Sequence, residues 1–141
     1  ELRAYDQYVK INRLGVRKID VQVLSQTETI DKYFNDRYIV AQSWKSSPRK
    51  TKSILTELLE IDNIFFNVVQ YIDQINDGRV RLIYDVDAFL VGEFLSNTLN
   101  SGKTTDMLYH DMQDQMFKLF ISVASNEYLE YCKQLKEEQN G

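Results

Sequence analysis

Between Leu2 and Tyr33, apolar and aromatic side chains return at alternating steps of three and four residues: Leu2, Tyr5, Val9, Val16, Ile19, Val23, Ile30 and Tyr33, with Asn12 and Gln26 as the polar members. A sustained repeat of this kind is the pattern of a helix that packs along a coiled-coil seam, and a polar seam residue fixes register at a cost in stability. The spacing predicts a long N-terminal helical arm over residues 1–24. It nominates Tyr5, Val9, Asn12, Val16, Ile19 and Val23 as the face that meets a partner. A competing reading is local: residues 19–24 are β-branched and alternate, as a strand does. Helix is favoured because no second strand is recognised for this one to pair with. Gly15 inside the run lowers helix stability by up to about 1 kcal/mol.

The rest of the chain is read in the same way. Ser25 and Glu28 have the spacing of a capping box, which would open a second helix running to about Trp44. Ser47 suits an N-cap and Pro48 the first helical position. Over residues 48–76 the predicted buried stripe is Leu55, Leu58, Leu59, Asp62, Phe65, Phe66, Val69 and Ile72, wide enough for a bundle interior. Gly78 would end that helix in a left-handed conformation. Residues 80–99 form another apolar unit, interrupted by Gly92. The last helix is expected to start at Thr104 or Thr105 with Asp106 in its first turn, where the helix dipole favours an acid. Ser125-Asn126 would kink it or split it, and residues 136–141 would form a frayed polar tail. The predicted fold is all-α: a small bundle of four or five helices with a long N-terminal arm, one domain over residues 1–141.

Composition narrows the class. Of 141 residues, 43% are hydrophobic and 27% charged, which suits a soluble globular domain and excludes low-complexity disorder. A single cysteine, Cys132, excludes a disulfide scaffold and leans toward a cytoplasmic setting. No apolar run reaches bilayer length. The chain starts at Glu1, inside the apolar pattern, so a fragment of a larger or membrane-tethered protein is expected. In that case the domain sits at the inner face of a membrane, and it meets the membrane only through a segment outside this chain. Residues 1–53 carry 11 basic and 6 acidic side chains, residues 54–141 carry 6 and 15. The overall charge of -4 argues against nucleic acid as a partner.

Chemistry-bearing motifs are few. Gly102-Lys103-Thr104 matches the end of a phosphate-binding loop, but Asn97 stands where that motif needs its first glycine. His110 shares a helical face with Asp106 and Asp114, the weak candidates for a metal. Met107 stands where a Glu-x-x-His pair needs its carboxylate, and Leu108, Met112, Met116 and Leu119 claim the core side. No catalytic residue, cofactor or metal is therefore expected. Arg13, Arg17 and Lys18, and again Arg49, Lys50 and Lys52, form basic groups without aromatic or glycine-rich nucleic-acid motifs around them. Asp62 falls on an apolar stripe, where burial would demand a partner. It is the candidate buried polar or ligand site. Tyr5, Tyr8, Tyr33, Tyr38, Tyr109, Tyr128 and Tyr131 belong to a tyrosine surplus concentrated toward the arm and the last helix, a residue suited to half-buried contacts. The function expected is a non-enzymatic helical protein–protein interaction or self-assembly domain, with a protein partner or a homo-oligomer. The alternative is a helical sensory or regulatory domain that holds a small polar ligand between helices near Asp62.

Overall fold

Alternation, and not a helical repeat, organises the middle of the chain. In the computed structural model, which describes residues 13–46 and 51–140, three consecutive strands form an antiparallel meander: β2 (Lys52–Ile61), β3 (Ile64–Gln74) and β4 (Val80–Val91). In β3, Ile64, Phe66, Val68, Gln70 and Ile72 are buried, while Phe65, Asn67, Val69, Tyr71 and Asp73 between them are half-buried. β4 repeats this, with Leu82, Tyr84, Val86, Ala88 and Leu90 inward. A two-residue period of this kind belongs to a strand covered on one face, and the β-branched and aromatic content suits it.

The all-α bundle is thereby corrected. The fold is mixed α/β, a four-stranded antiparallel sheet packed against helices. The predicted stripe over residues 48–76 drew Leu55, Leu59, Phe66 and Ile72 from one sheet face and Leu58, Phe65 and Val69 from the other. Apolar side chains on both faces counterfeit a helical spacing.

The connecting turns use the chemistry that tight hairpins need. Asp62 and Asn63 have φ of 52° and 67°, and they join β2 to β3 immediately beyond the Ile61–Ile64 pair. Two left-handed residues in succession make the turn whose twist matches that of the flanking strands. Asp62 is thus exposed at a hairpin tip rather than buried on a helix. Between β3 and β4, Gly78 (φ 85°) donates its N–H to the Ile75 carbonyl at 2.9 Å. It serves a hairpin and not a helix end.

β1 (Arg13–Val23) lies along the far side of β4, so the strand order is β1-β4-β3-β2. Val23 pairs with Arg81 and Arg13 with Val91. The predicted arm is therefore an edge strand over its described part. Of the residues proposed as a continuous ridge, Val16 packs against the core, whereas Ile19 and Val23 lie on the opposite face. Tyr5, Val9 and Asn12 fall outside the described residues, as do Ser47, Pro48, Arg49 and Lys50.

The helical layer begins with a 3-10 turn at Ile30–Lys32 and α1 (Val40–Lys45), and α1 rests on β2 and β3. After β4 come α2 (Gly92–Asn100), α3 (Thr105–Val123) and α4 (Asn126–Asn140). Thr104 caps α3, its hydroxyl accepting from the Met107 N–H at 3.2 Å. α3 lies across β1 and β4, and its Leu108, Met112 and Met116 meet Phe66, Leu82 and Leu90 in the core. α2 crosses the end of the sheet: Leu95 enters the core, while Phe94 meets the ring of Phe65 on the other face. α4 continues through Lys136 to Asn140, its last turns exposed.

Two polar side chains lock the layers together. Gln70 reaches from β3 to the start of α1, accepting from the Val40 N–H at 3.1 Å and donating to the Arg37 carbonyl at 3.0 Å. Tyr38 stacks on Phe34 and shares its hydroxyl between the carbonyls of Tyr71 and Ile83, 2.7 and 2.8 Å away. Burial holds the Tyr38 hydroxyl well above the ordinary tyrosine range. Among the described residues, no helix is long and apolar enough to cross a membrane.

Candidate functional site

Among the described residues, the helices cover one side of the sheet, and the other side, apart from the Phe94 contact, is left uncovered. Ile19 is 52% exposed, Val21 46%, Ile54 53% and Leu58 63%. The register aligns this face into rows that run across all four strands. One row is apolar throughout: Val21, Ile83, Tyr71 and Ile54. Its neighbour on one side is charged, Val23 giving way to Arg81, Asp73 and Lys52. The neighbour on the other side runs Ile19, Asp85, Val69 and Thr56.

Three ion pairs form within this face. The Arg17 guanidinium holds Asp85 through two hydrogen bonds, at 2.5 and 3.0 Å. Arg81 holds Asp73 in the same forked way, at 2.6 and 2.9 Å, and Arg13 reaches Asp87 at 2.8 Å. The basic residues Arg13, Arg17, Lys52 and Arg81 are matched in number by Glu60, Asp73, Asp85 and Asp87. The face is therefore electrically neutral. The basic group Arg13-Arg17-Lys18 that the sequence suggested is not one patch, since Lys18 points to the helical side of β1.

Gly15 has a specific place here. It lies directly across from Phe89, whose ring stacks on Phe65 and carries the Arg13 guanidinium 4.9 Å above its centre. A Cβ at Gly15 would come within 2.9 Å of both the Ala88 carbonyl oxygen and that guanidinium.

A second concavity lies where the end of β1, the 3-10 turn and α4 meet. Ser125 fixes this corner: its N–H donates to the Tyr33 carbonyl at 2.8 Å, its hydroxyl donates to the Lys32 carbonyl, and the same oxygen accepts from the Tyr128 N–H. The Tyr128 hydroxyl lies 2.8 and 2.9 Å from the two Asp20 carboxylate oxygens and accepts from the Gln22 amide at 2.5 Å. Burial first, and then the bond to Asp20, push the Tyr128 pKa far up, so the hydroxyl keeps its proton and donates it. Cys132 is raised too, by burial and by the charge of Asp20, which leaves it a poor nucleophile. The groove beside this cluster has a volume of about 550 Å3.

The other predicted site residues are scattered. His110, Asp106 and Asp114 are exposed on α3, and among the described residues no three acid, histidine or cysteine side chains are grouped as a metal would need. Lys103 pairs with Asp111 at 2.8 Å, beside Asp114 and the Asp62 hairpin in a smaller hollow of about 260 Å3. The expected helical interaction domain, and its alternative with a ligand held between helices near Asp62, are overturned. The described part of the arm is a strand, and what stands is a small α/β domain. Sequence reasoning misses Asp20 and Gln22 altogether, because the three-four apolar spacing around them fits a helix as well as a strand.

Comparison with known proteins finds no family model, no curated protein and no solved structure that matches the chain.

Proposed function

We propose that this domain works by contact and not by catalysis, pairing two copies of the chain through the open faces of their sheets. The observation that carries this reading is the unbroken apolar row Val21-Ile83-Tyr71-Ile54 on a face where six of the eight charges cancel in three internal pairs. A two-fold axis through that row lays apolar side chains on apolar side chains and leaves the three internal ion pairs intact. Two sheets packed face to face sit about 10 Å apart with their strands nearly aligned. A partner with a strong charge of either sign would gain nothing from a neutral surface.

Size sets the expected strength. Four strands about 4.8 Å apart, each about ten residues long at about 3.3 Å per residue, give a face of about 600 Å2. Pairing two such faces buries about 1,200 Å2, the lower end of specific, stable interfaces. The dimer should be weak, with a dissociation constant in the micromolar range.

Light scattering across a wide concentration range tests this. The expected result is a reversible rise from monomer to dimer mass, abolished by V21K together with I54K and unaffected by F117K on the helical side. A wild-type chain that stays monomeric, or a dimer that survives V21K/I54K, would overturn the proposal. So would a monomeric full chain that dimerises only after residues 1–12 are removed, since the preceding segment would then be the occupant.

A further inference from the structure

The groove beside Tyr128 is independent of the open face, and its lining is chemically specific. Its walls are aromatic. Tyr33 and Tyr128 meet edge to face with ring centres 5.2 Å apart, and Tyr131, 53% exposed, stands one position short of a full turn further along α4. Its rim is acidic, with Glu127 and Glu130 on the same helix. Beneath the floor lies the Asp20 carboxylate, bonded to the Tyr128 hydroxyl and the Gln22 amide. Among the described residues the one basic lining side chain, Lys32, is already neutralised by Glu28 at 2.7 Å. Faces of tyrosine rings attract cations, carboxylates hold them by charge, and a volume of about 550 Å3 is within the range of small-molecule sites.

The protein also contains an internal precedent. The Lys32 ammonium sits 5.7 Å from the centre of the Tyr33 ring. That face already holds an alkylammonium group, supplied by the chain itself.

We propose that the groove formed by Tyr33, Tyr131, Glu127 and Glu130 binds an alkylammonium cation, with Lys32 as its intramolecular competitor. Anions are excluded by the carboxylates. A neutral apolar ligand would leave those carboxylates facing it unmatched. The headgroup has two possible sources, a free small cation or a methylated lysine side chain of another protein. The two carry the same chemistry.

Amide chemical shifts of the whole chain, followed during titration with choline and with its uncharged carbon isostere dimethylbutanol, test the proposal. Choline is expected to shift residues 32–33 and 127–134 saturably, and the isostere is expected not to. E127Q with E130Q should abolish binding, and Y131A should weaken it about threefold, the size of one exposed ring contact. The distinguishing variant is K32M, which frees the Tyr33 face and should tighten choline binding about threefold; circular dichroism checks that each variant is folded. Equal binding of choline and the isostere would overturn the proposal, as would no binding of choline or weaker binding to K32M. A trimethyllysine peptide that binds much more tightly than choline identifies a protein tail as the source. Equal affinities identify the free cation. Either ranking supports the headgroup site.

Discussion

Tyr128, on the last helix, donates its hydroxyl to the carboxylate of Asp20, on the first described strand, across 108 residues of sequence. This bond and the one from Gln22 tie α4 to β1. Tyr128→Phe keeps the ring contacts with Tyr33, Phe34 and Phe120 but removes one of the two side-chain donors to a half-buried carboxylate and leaves it only the longer bond from Gln22, at 3.2 Å. Loss of a hydrogen bond to a charged group predicts a destabilisation of about 1.5–3 kcal/mol. Urea denaturation measures it, and a Y128F/D20A double-mutant cycle isolates the pair.

Gln70 predicts a cost of a different origin. Replacing it with Leu preserves bulk and strands two backbone groups, the Val40 N–H and the Arg37 carbonyl. Unsatisfied buried polar groups cost about 1–3 kcal/mol. The amides of residues 40–42 should also exchange with solvent faster, because the first turn of α1 loses its anchor. An unchanged exchange rate would show that α1 is held by packing alone.

Gly15→Ala tests the crowding across β1 and β4. The added methyl group meets a backbone oxygen on one side and the Arg13 guanidinium on the other. Arg13 can move, but the Ala88 carbonyl can move only by opening the strand pair. Overpacking of this kind costs about 1–3 kcal/mol. Weakened nuclear Overhauser contacts between residues 13–15 and 89–91 would report it.

Two pH limbs follow from the perturbed groups. Lys32, the Ser25 N–H and the Tyr33 hydroxyl lower Glu28 from 4.5 to about 2. A depressed carboxyl adds stability that is present above the unfolded value and lost as pH falls toward the folded one. The window is about 4.5 down to about 2, and E28Q should flatten it. On the alkaline side, burial raises Tyr84 from 10.0 to about 12. Its stabilising share is complete below about 10 and disappears as pH climbs through 12, because the unfolded chain ionises first. Y84F should remove that share. Denaturation midpoints measured across both windows check the signs.

Parts of this molecule were legible in its letters. Thr104 caps α3 as its spacing predicted, and the chain breaks before Asn126, where Ser125-Asn126 marked a split. The sheet was misread for a physical reason. β3 is apolar on both sides, so Phe65 and Phe66, or Val68 and Val69, satisfy a helical stripe as readily as an alternating one. The turn residues held the missing information. Asp62-Asn63 and Asn76-Asp77-Gly78 punctuate the run at hairpin spacing, and the β-branched content of residues 19–24 was an accurate local sign. The Asp20–Tyr128 contact was beyond reach, since nothing local records which distant helix a strand will meet.

The position of β1 has a consequence for synthesis. A ribosome delivers residues 13–23 before their mate β4, with Arg13 and its ion-pair partner Asp87 74 residues apart. Until the meander has emerged, the nascent chain carries an orphan strand whose backbone groups have no ladder to join. Distant pairings of this kind close late and leave sticky edges exposed in the meantime. Moving the β1 sequence behind α4 by circular permutation would reverse that order of birth and let the sheet be completed by the last segment made.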